Sequence, residues 1–180
     1  MLILNTELDG VKIIEPRIFS DPRGYFLETF NITRYPGHDF VQDNLSMSRK
    51  DTLRGLHFQN PNQQGKLVMV LSGSVLDVAV DVRAGSPTFK HYVSLVLDDH
   101  THRQLWIPGG FAHGFLVLSK EARFLYKCDA PYDPASETSI RWDDPDININ
   151  WGVEHPLLSD KDTVAPLLRD LGERLPLYRC

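Results

Sequence analysis

The sequence predicts a mainly β single domain of the sandwich, jelly-roll or barrel class. Three observations predict it. Short apolar-rich runs recur along most of the chain, clusters of turn residues separate them, and helical periodicity is scarce. The clearest run is 75–83. There Leu76, Val78, Val80 and Val82 fall on one face and Asp77, Asp81 and Arg83 on the other, the period-two pattern of a strand with one face in an apolar core.

In chain order, Val11–Pro16 reads as a strand. Ser20-Asp21-Pro22-Arg23-Gly24 is a turn, and Tyr25–Phe30 is a second strand. Asn31–Tyr35 has room for one helical turn. Phe40–Ser48, Leu53–Gln59 and Lys66–Leu71 continue the strand series, and Ser72-Gly73-Ser74 turns the chain into 75–83. Tyr92–Leu97, Arg103–Ile107, His113–Leu118 and Arg123–Cys128 follow. Ser159–Leu171 reads as a C-terminal helix, with Ser159 as its N-cap and Asp162 three residues on, close to a capping box.

A length of 180 residues fits one domain, 1–180, and no internal repeat or low-complexity linker divides it. The 42% apolar content is enough for a core, so disorder is not the expected state. A net charge of −5 argues against a nucleic-acid surface but leaves room for one small anion bound by a local Arg/Lys cluster. Met1-Leu2-Ile3-Leu4-Asn5 lacks the pattern of a signal peptide, and no run approaches the roughly 20 apolar residues of a membrane span. Cys128 and Cys180 make no disulfide framework; Cys128 sits in an apolar run and is expected in the core. A cytoplasmic protein with no membrane or nucleic-acid partner is the expectation.

Unusual polar content concentrates in three otherwise apolar stretches: Thr52–Gln59, Gln64–Val68 and Trp106–Phe115. Pro-x-Gly-x-x-His at 108–113 resembles the second motif of the cupin superfamily. Metal-binding cupins pair that motif with His-x-His and a nearby glutamate. Here the corresponding stretch is His57-Phe58-Gln59, with no Glu or Asp before Lys66. Two histidines beside an ammonium make a poor cation site, so no metal is expected. An imidazole, an ammonium and a phenol suit proton abstraction next to a carbonyl. His57 can serve as base, Lys66 can stabilise an enolate oxygen, Tyr126 can return a proton, and Asp162 can orient His57.

The match then extends through nearly the whole chain. Ser20-Asp21-x-Arg23-Gly24, Phe40–Asn44, Leu53–Gln59, Lys66-Leu67-Val68, Asp77–Asp81, Gly85–Phe89, Arg103–Pro108, Gly110–Phe115, Phe124–Lys127, Arg141–Asp144 and Ser159-x-Lys161-Asp162 together resemble the dTDP-4-dehydrorhamnose 3,5-epimerase family. The resemblance implies a cupin-type jelly roll (a double-stranded β-helix barrel), no cofactor, and a homodimer whose sites use residues of both subunits. It implies His57 as proton acceptor paired with Asp162, Tyr126 as proton donor, and Lys66, His113 and Arg54 on the sugar and diphosphate. Gln42, Asn44, Glu137 and Lys161 match further substrate contacts, and Arg23 and Glu28 match residues that reach the neighbouring subunit's nucleotide. The implied reaction converts dTDP-4-dehydro-6-deoxy-D-glucose to dTDP-4-dehydro-L-rhamnose by inverting C3 and C5, both acidified by the 4-ketone. Close alternatives are inversion of one carbon only, on a related 4-keto-6-deoxysugar nucleotide, then a metal-dependent cupin, then a non-catalytic sugar-nucleotide binder.

Several positions carry plainer expectations. Met69 and Gly109 depart from common family residues, and strand parity turns Met69 away from Lys66. His38, His91, His100, His102 and His155 are expected on the surface or in loops, Trp106 and Trp142 in packing, and Asp143-Asp144-x-Asp146 in a solvated turn. Arg54 and His57 are three apart, which a regular strand would place on opposite faces; a bulge at Gly55 is needed to aim both at one site.

Overall fold

The computed structural model describes residues 1–35 and 39–178; His38 and Cys180 lie outside the described residues. The strands are β1 (Leu2–Asn5), β2 (Lys12–Glu15), β3 (Ile18–Asp21), β4 (Gly24–Leu27), β5 (Gln42–Arg49), β6 (Leu53–Gln59) and β7 (Lys66–Ser72). They continue as β8 (Ser74–Asp81), β9 (Tyr92–Asp98), β10 (Gln104–Ile107), β11 (Phe111–Val117), β12 (Glu121–Cys128) and β13 (Glu137–Ser139). A six-stranded sheet runs β1-β2-β10-β7-β12-β5, a five-stranded sheet runs β13-β6-β11-β8-β9, and β3 and β4 form a separate hairpin. Every named pair is antiparallel. Two facing antiparallel sheets with these crossovers give a mainly β jelly roll, one of the three architectures the strand pattern allows and the one the family resemblance implies.

The main core lies between the sheets, where Val68, Val70 and Phe124 meet Val75, Ala79 and Phe115. A second core lies on the outer face of the five-stranded sheet: Leu56, Phe58, Val78, Val80 and Val82 pack under Ile140, Trp151, Leu168 and Leu171. A third, with Leu67, Trp106 and Tyr35, covers part of the outer face of the six-stranded sheet. Each fully buried Leu, Val or Phe adds about 1.5–3 kcal/mol, so three cores rather than one hold the strands in register.

This layering corrects the reading of β8. Its apolar face is not the only buried one: the other turns between the sheets, and Asp77 and Asp81 are fully buried. Met69 does face outward, where its Sδ accepts from Gln104 Nε2 at 3.7 Å. Lys66 opens β7, an inner strand between β10 and β12.

The C-terminal helix is much shorter than the capping pattern suggests. It spans α1 (Asp160–Thr163), followed by 3-10 turns at Leu168–Asp170 and Gly172–Arg174. Pro166 supplies no N–H and disfavours a helical Ala165, which ends the run after one turn. The cap itself is present, since Ser159 Oγ accepts from Asp162 N at 3.2 Å. Asp144 is also corrected: it is 2% exposed, not solvated. Its Oδ1 accepts from Asp146 N and its Oδ2 from Leu168 N, at 2.8 and 2.7 Å. His102 lies in the loop between β9 and β10, one of the two expected settings, but is buried there, and its ring packs on Tyr25 with centroids 4.8 Å apart. Trp106 packs in the third core and Trp142 beside the second. Among the described residues, no helix is long and apolar enough to cross a membrane.

Candidate active site

The site begins with a register shift. His57 on β6 stands opposite His113 on β11, yet Arg54 stands opposite Phe115, so three steps on β6 span two on β11. The extra residue is absorbed at Gly55, whose φ of +129° is open to glycine and strained for other residues. A Cβ there would also lie 2.6 Å from Gly114 Cα and 2.9 Å from the His113 carbonyl oxygen. The bulge aims Arg54 and His57 into one cavity, as the spacing requires.

That cavity has a volume of about 200 Å³. The five-stranded sheet contributes Arg54, His57, His113 and Phe115, and the facing sheet contributes Ser46, Lys66, Phe124 and Tyr126. Ser159 and Asp162 close it from α1 and its cap. Asp162 Oδ1 lies 2.6 Å from His57 Nε2, and Ser159 Oγ donates to Asp162 Oδ2 at 2.9 Å. Both carboxylate oxygens are therefore engaged, which fixes the His57 ring and leaves Nδ1 for a ligand. Burial pushes the Asp162 carboxyl up, but the His57 ring, Ser159 and the Gly55 N–H outweigh it and hold its pKa below the usual carboxylate value.

Lys66 meets Cys128 directly across the β7–β12 ladder, and Tyr126 is two residues before Cys128 on the same inward face. Burial pushes the Lys66 ammonium below the ordinary lysine range, partly offset by Cys128, Glu137, Asp77 and Asp129. Burial likewise raises the Tyr126 phenol, with Cys128 adding to the rise and Arg54 opposing it, so the hydroxyl keeps its proton at neutral pH. Cys128 is a core residue, as its apolar surroundings predict, and burial pushes its thiol up to about 11.

A second recess of about 100 Å³ adjoins the first and shares His57, Lys66 and Tyr126 with it. Glu137 and Tyr132 line its outer side. Glu137 Oε1 pairs with Lys161 Nζ at 2.5 Å, and Tyr132 Oη donates to Glu137 Oε2 at 2.8 Å. Burial would raise the Glu137 carboxyl, but Lys161, Tyr132 and His57 hold it low. Gln42 and Asn44 lie on the same face of β5 as Ser46 but brace the wall. Gln42 Oε1 accepts from Tyr132 N at 2.8 Å, its Nε2 donates to Asn44 Oδ1, and Asn44 Nδ2 donates to Cys128 Sγ at 3.6 Å.

Two expected contacts stand apart. Arg23 sits at the tip of the β3–β4 hairpin, its side chain 90% exposed and paired with Asp21 at 2.6 Å. Glu28 holds Asn31 and Arg34 instead. Neither lines the cavity of its own chain. Sequence reasoning assigned no role to Asp77, Ser46, Phe115, Phe124, Ser159 or Tyr132 in the site. The polar inward positions Gln42, Asn44, Ser46 and Ser48 of β5 were the available signal that this wall faces a wet cavity. Among the described residues, no three His, Cys, Asp or Glu side chains converge as a metal site.

The family model for dTDP-4-dehydrorhamnose 3,5-epimerase matches residues 5–170. The dTDP-4-dehydrorhamnose 3,5-epimerase of Shigella flexneri is 51% identical over 168 residues, covering 90% of this chain and 93% of that protein. The crystal structure of a dTDP-6-deoxy-D-glucose-3,5-epimerase from Legionella pneumophila, in complex with dTDP-4-keto-L-rhamnose, superposes with a TM-score of 0.97. It is 51% identical and covers 99% of both chains. A 3'-monoepimerase from Streptomyces bikiniensis, in complex with dTDP-quinovose, has a TM-score of 0.91 and 36% identity, covering 97% of this chain and 93% of its own.

Proposed function

We propose a double epimerisation for this chain, which belongs to the dTDP-4-dehydrorhamnose 3,5-epimerase family. The chain is an isomerase that converts dTDP-4-dehydro-6-deoxy-D-glucose to dTDP-4-dehydro-L-rhamnose. The observation that carries the mechanism is the placement of the His57–Asp162 pair and Tyr126 on opposing walls of one cavity. Inversion needs a base on one face of the sugar carbon and an acid on the other. His57 Nδ1 takes the C–H proton, Asp162 stabilises the resulting imidazolium, and the electron pair moves onto the 4-keto oxygen. Lys66 faces that oxygen, and Tyr126 returns a proton to the opposite face of the carbon. The ketone acidifies C3 and C5 alike, so the same groups serve both carbons without a redox cofactor. Arg54 at the mouth and Lys161 above the recess supply positive charge for the diphosphate.

Proton NMR of dTDP-4-dehydro-6-deoxy-D-glucose in deuterated water tests the reaction. Deuterium at both C3 and C5 with inverted product is expected. Exchange and inversion at one carbon would move the assignment to a mono-epimerase, the activity named for the Streptomyces bikiniensis relative. No exchange would remove the reaction altogether. Tyr126→Phe is expected to slow inversion by about 10²-fold or more while leaving the first C–H exchange less affected. Equal losses in the two would remove Tyr126 as donor.

The same reading extends to a homodimer in which Arg23 and Glu28 reach the partner's nucleotide. Phe19, Tyr25 and Phe26 on the hairpin and Leu2, Ile3 and Leu4 on β1 are exposed, and apolar surface of this kind marks an interaction site. Sedimentation velocity is expected to give a dimer, and Arg23→Ala is expected to raise KM with little change in kcat. A fully active monomer would remove the partner from the site.

A further inference from the structure

We propose that Asp77 is a positioning residue for the epimerisation, holding His113 as an imidazolium whose second ring nitrogen meets the 4-keto oxygen. The inference rests on the reaction proposed above. Asp77 lies in the middle of β8, between the sheets, and is 0% exposed. Its Oδ2 is 2.9 Å from His113 Nε2. Its Oδ1 is buried and has no hydrogen-bond partner among the described residues. A buried carboxylate oxygen without a partner weakens a fold, and an apolar side chain would suit this position better for packing alone.

His113 is held on other sides as well. Its ring stacks near Phe124, with centroids 6.0 Å apart and an interplanar angle of 18°, and lies 6.4 Å from Phe115. With Nε2 committed to Asp77, Nδ1 is the remaining polar atom of a ring that lines the cavity. A carboxylate at Nε2 favours the doubly protonated ring, and Asp77, unlike Asp162, shares its charge with no Ser159 hydroxyl, so His113 is assigned an Nδ1–H donor where His57 keeps a bare Nδ1. Oxygen 4 is common to the enolates formed from C3 and from C5. A donor aimed at it lowers both barriers, whereas His57 and Tyr126 must meet each carbon in turn. The site thus holds two His–Asp pairs with different tasks: one moves protons at carbon, and the other stabilises charge at oxygen.

Asp77→Asn separates orientation from charge, because the amide oxygen still accepts Nε2–H but leaves the ring without a counter-ion. Turnover of this variant is expected to fall about 10²–10³-fold, the effect of losing one donor at a developing oxyanion. Exchange at C3 and at C5 should fall in the same ratio, and affinity for dTDP alone should stay within about 2-fold. The double variant Asp77→Asn/His113→Gln should be no slower than His113→Gln, since the two residues act as a unit. Asp77→Asn with wild-type turnover, or losses that multiply in the double variant, would overturn the proposal. If Asp77→Asn does not fold, nitrogen-15 NMR of the wild-type His113 ring decides. Two protonated ring nitrogens in the complex with dTDP support the assignment, and a bare Nε2 or Nδ1 removes it. A wild-type enzyme that exchanges neither carbon overturns the parent reaction, which is a separate result from an active wild type with an indifferent Asp77.

Discussion

Replacing His57 by alanine is expected to lower kcat by about 10²–10⁴-fold, the usual contribution of a general base. The loss should fall on chemistry and not on binding, because the diphosphate contacts proposed for Arg54 and Lys161 are untouched. Deuterium exchange at C3 and at C5 should fall together, since His57 is proposed as the base for both. The substitution also strands Asp162, a 2% exposed carboxylate whose Oδ1 then loses its ring partner. That carboxylate is held below its ordinary pKa largely by His57. A depressed carboxylate contributes stability that is present above the unfolded pKa and lost as pH falls through the folded one. In the variant this contribution shrinks, so acid unfolding should begin at a higher pH. Steady-state kinetics and the dTDP dissociation constant check the first claim. Near-wild-type turnover would remove His57 from the mechanism.

Gly55→Ala is expected to damage fold and site together. A positive φ costs a non-glycine residue about 1–3 kcal/mol. The added Cβ also meets backbone on β11, 2.6 Å from Gly114 Cα, where no flexible side chain can yield. Relief requires β6 and β11 to part at the register shift, which moves Arg54, His57 and His113 relative to one another. Thermal unfolding and turnover should both fall, and the surviving folded fraction should have reduced kcat. A variant with unchanged Tm and kcat would show that the bulge has no part in aiming these side chains.

Most of the strand order was legible in the sequence because alternation is a local signal. β6 coincides with its predicted bounds, and β5, β7, β8, β9, β10 and β12 differ by only one or two residues at their ends. What escaped has identifiable causes. β1 is exposed along its length and carries no alternation, while β13 has three residues and exists only by pairing with β6. The buried side of β8 was misjudged because aspartate is ordinarily a solvent residue, and nothing local reveals that Asp77 meets a histidine 36 residues away. The helix was overextended because the capping signal at Ser159 outweighed the break at Pro166.

The site followed the same division. His57, Lys66, Tyr126 and Asp162 were legible from residue chemistry and from the family motifs, and they line one cavity. The Gly55 bulge was legible from a conflict, since Arg54 and His57 could not otherwise share a face. The apolar floor of Phe115 and Phe124, with ring centroids 4.2 Å apart, was not, because such residues look like ordinary core.

The position of Asp162 has a further consequence for how this protein loses activity. α1 follows every strand among the described residues and belongs to neither large sheet. Its segment is tied down at a few points: Leu53 N donates to the Leu157 carbonyl, Leu157 N to Asp51, Arg141 N to Pro166, and Leu168 N to Asp144 Oδ2. Of the four residues of α1 only Asp162 is buried, so this short strap, between the anchors at Leu157 and Leu168, has the few buried contacts of a unit able to lift while the two sheets keep their hydrogen bonds. When it lifts, His57 loses its orienting partner although the barrel is intact. Heat inactivation and barrel melting are then different events, and a ligand that spans Lys161 and the cavity lining holds the strap closed, protecting activity more than it raises the melting temperature of the sheets.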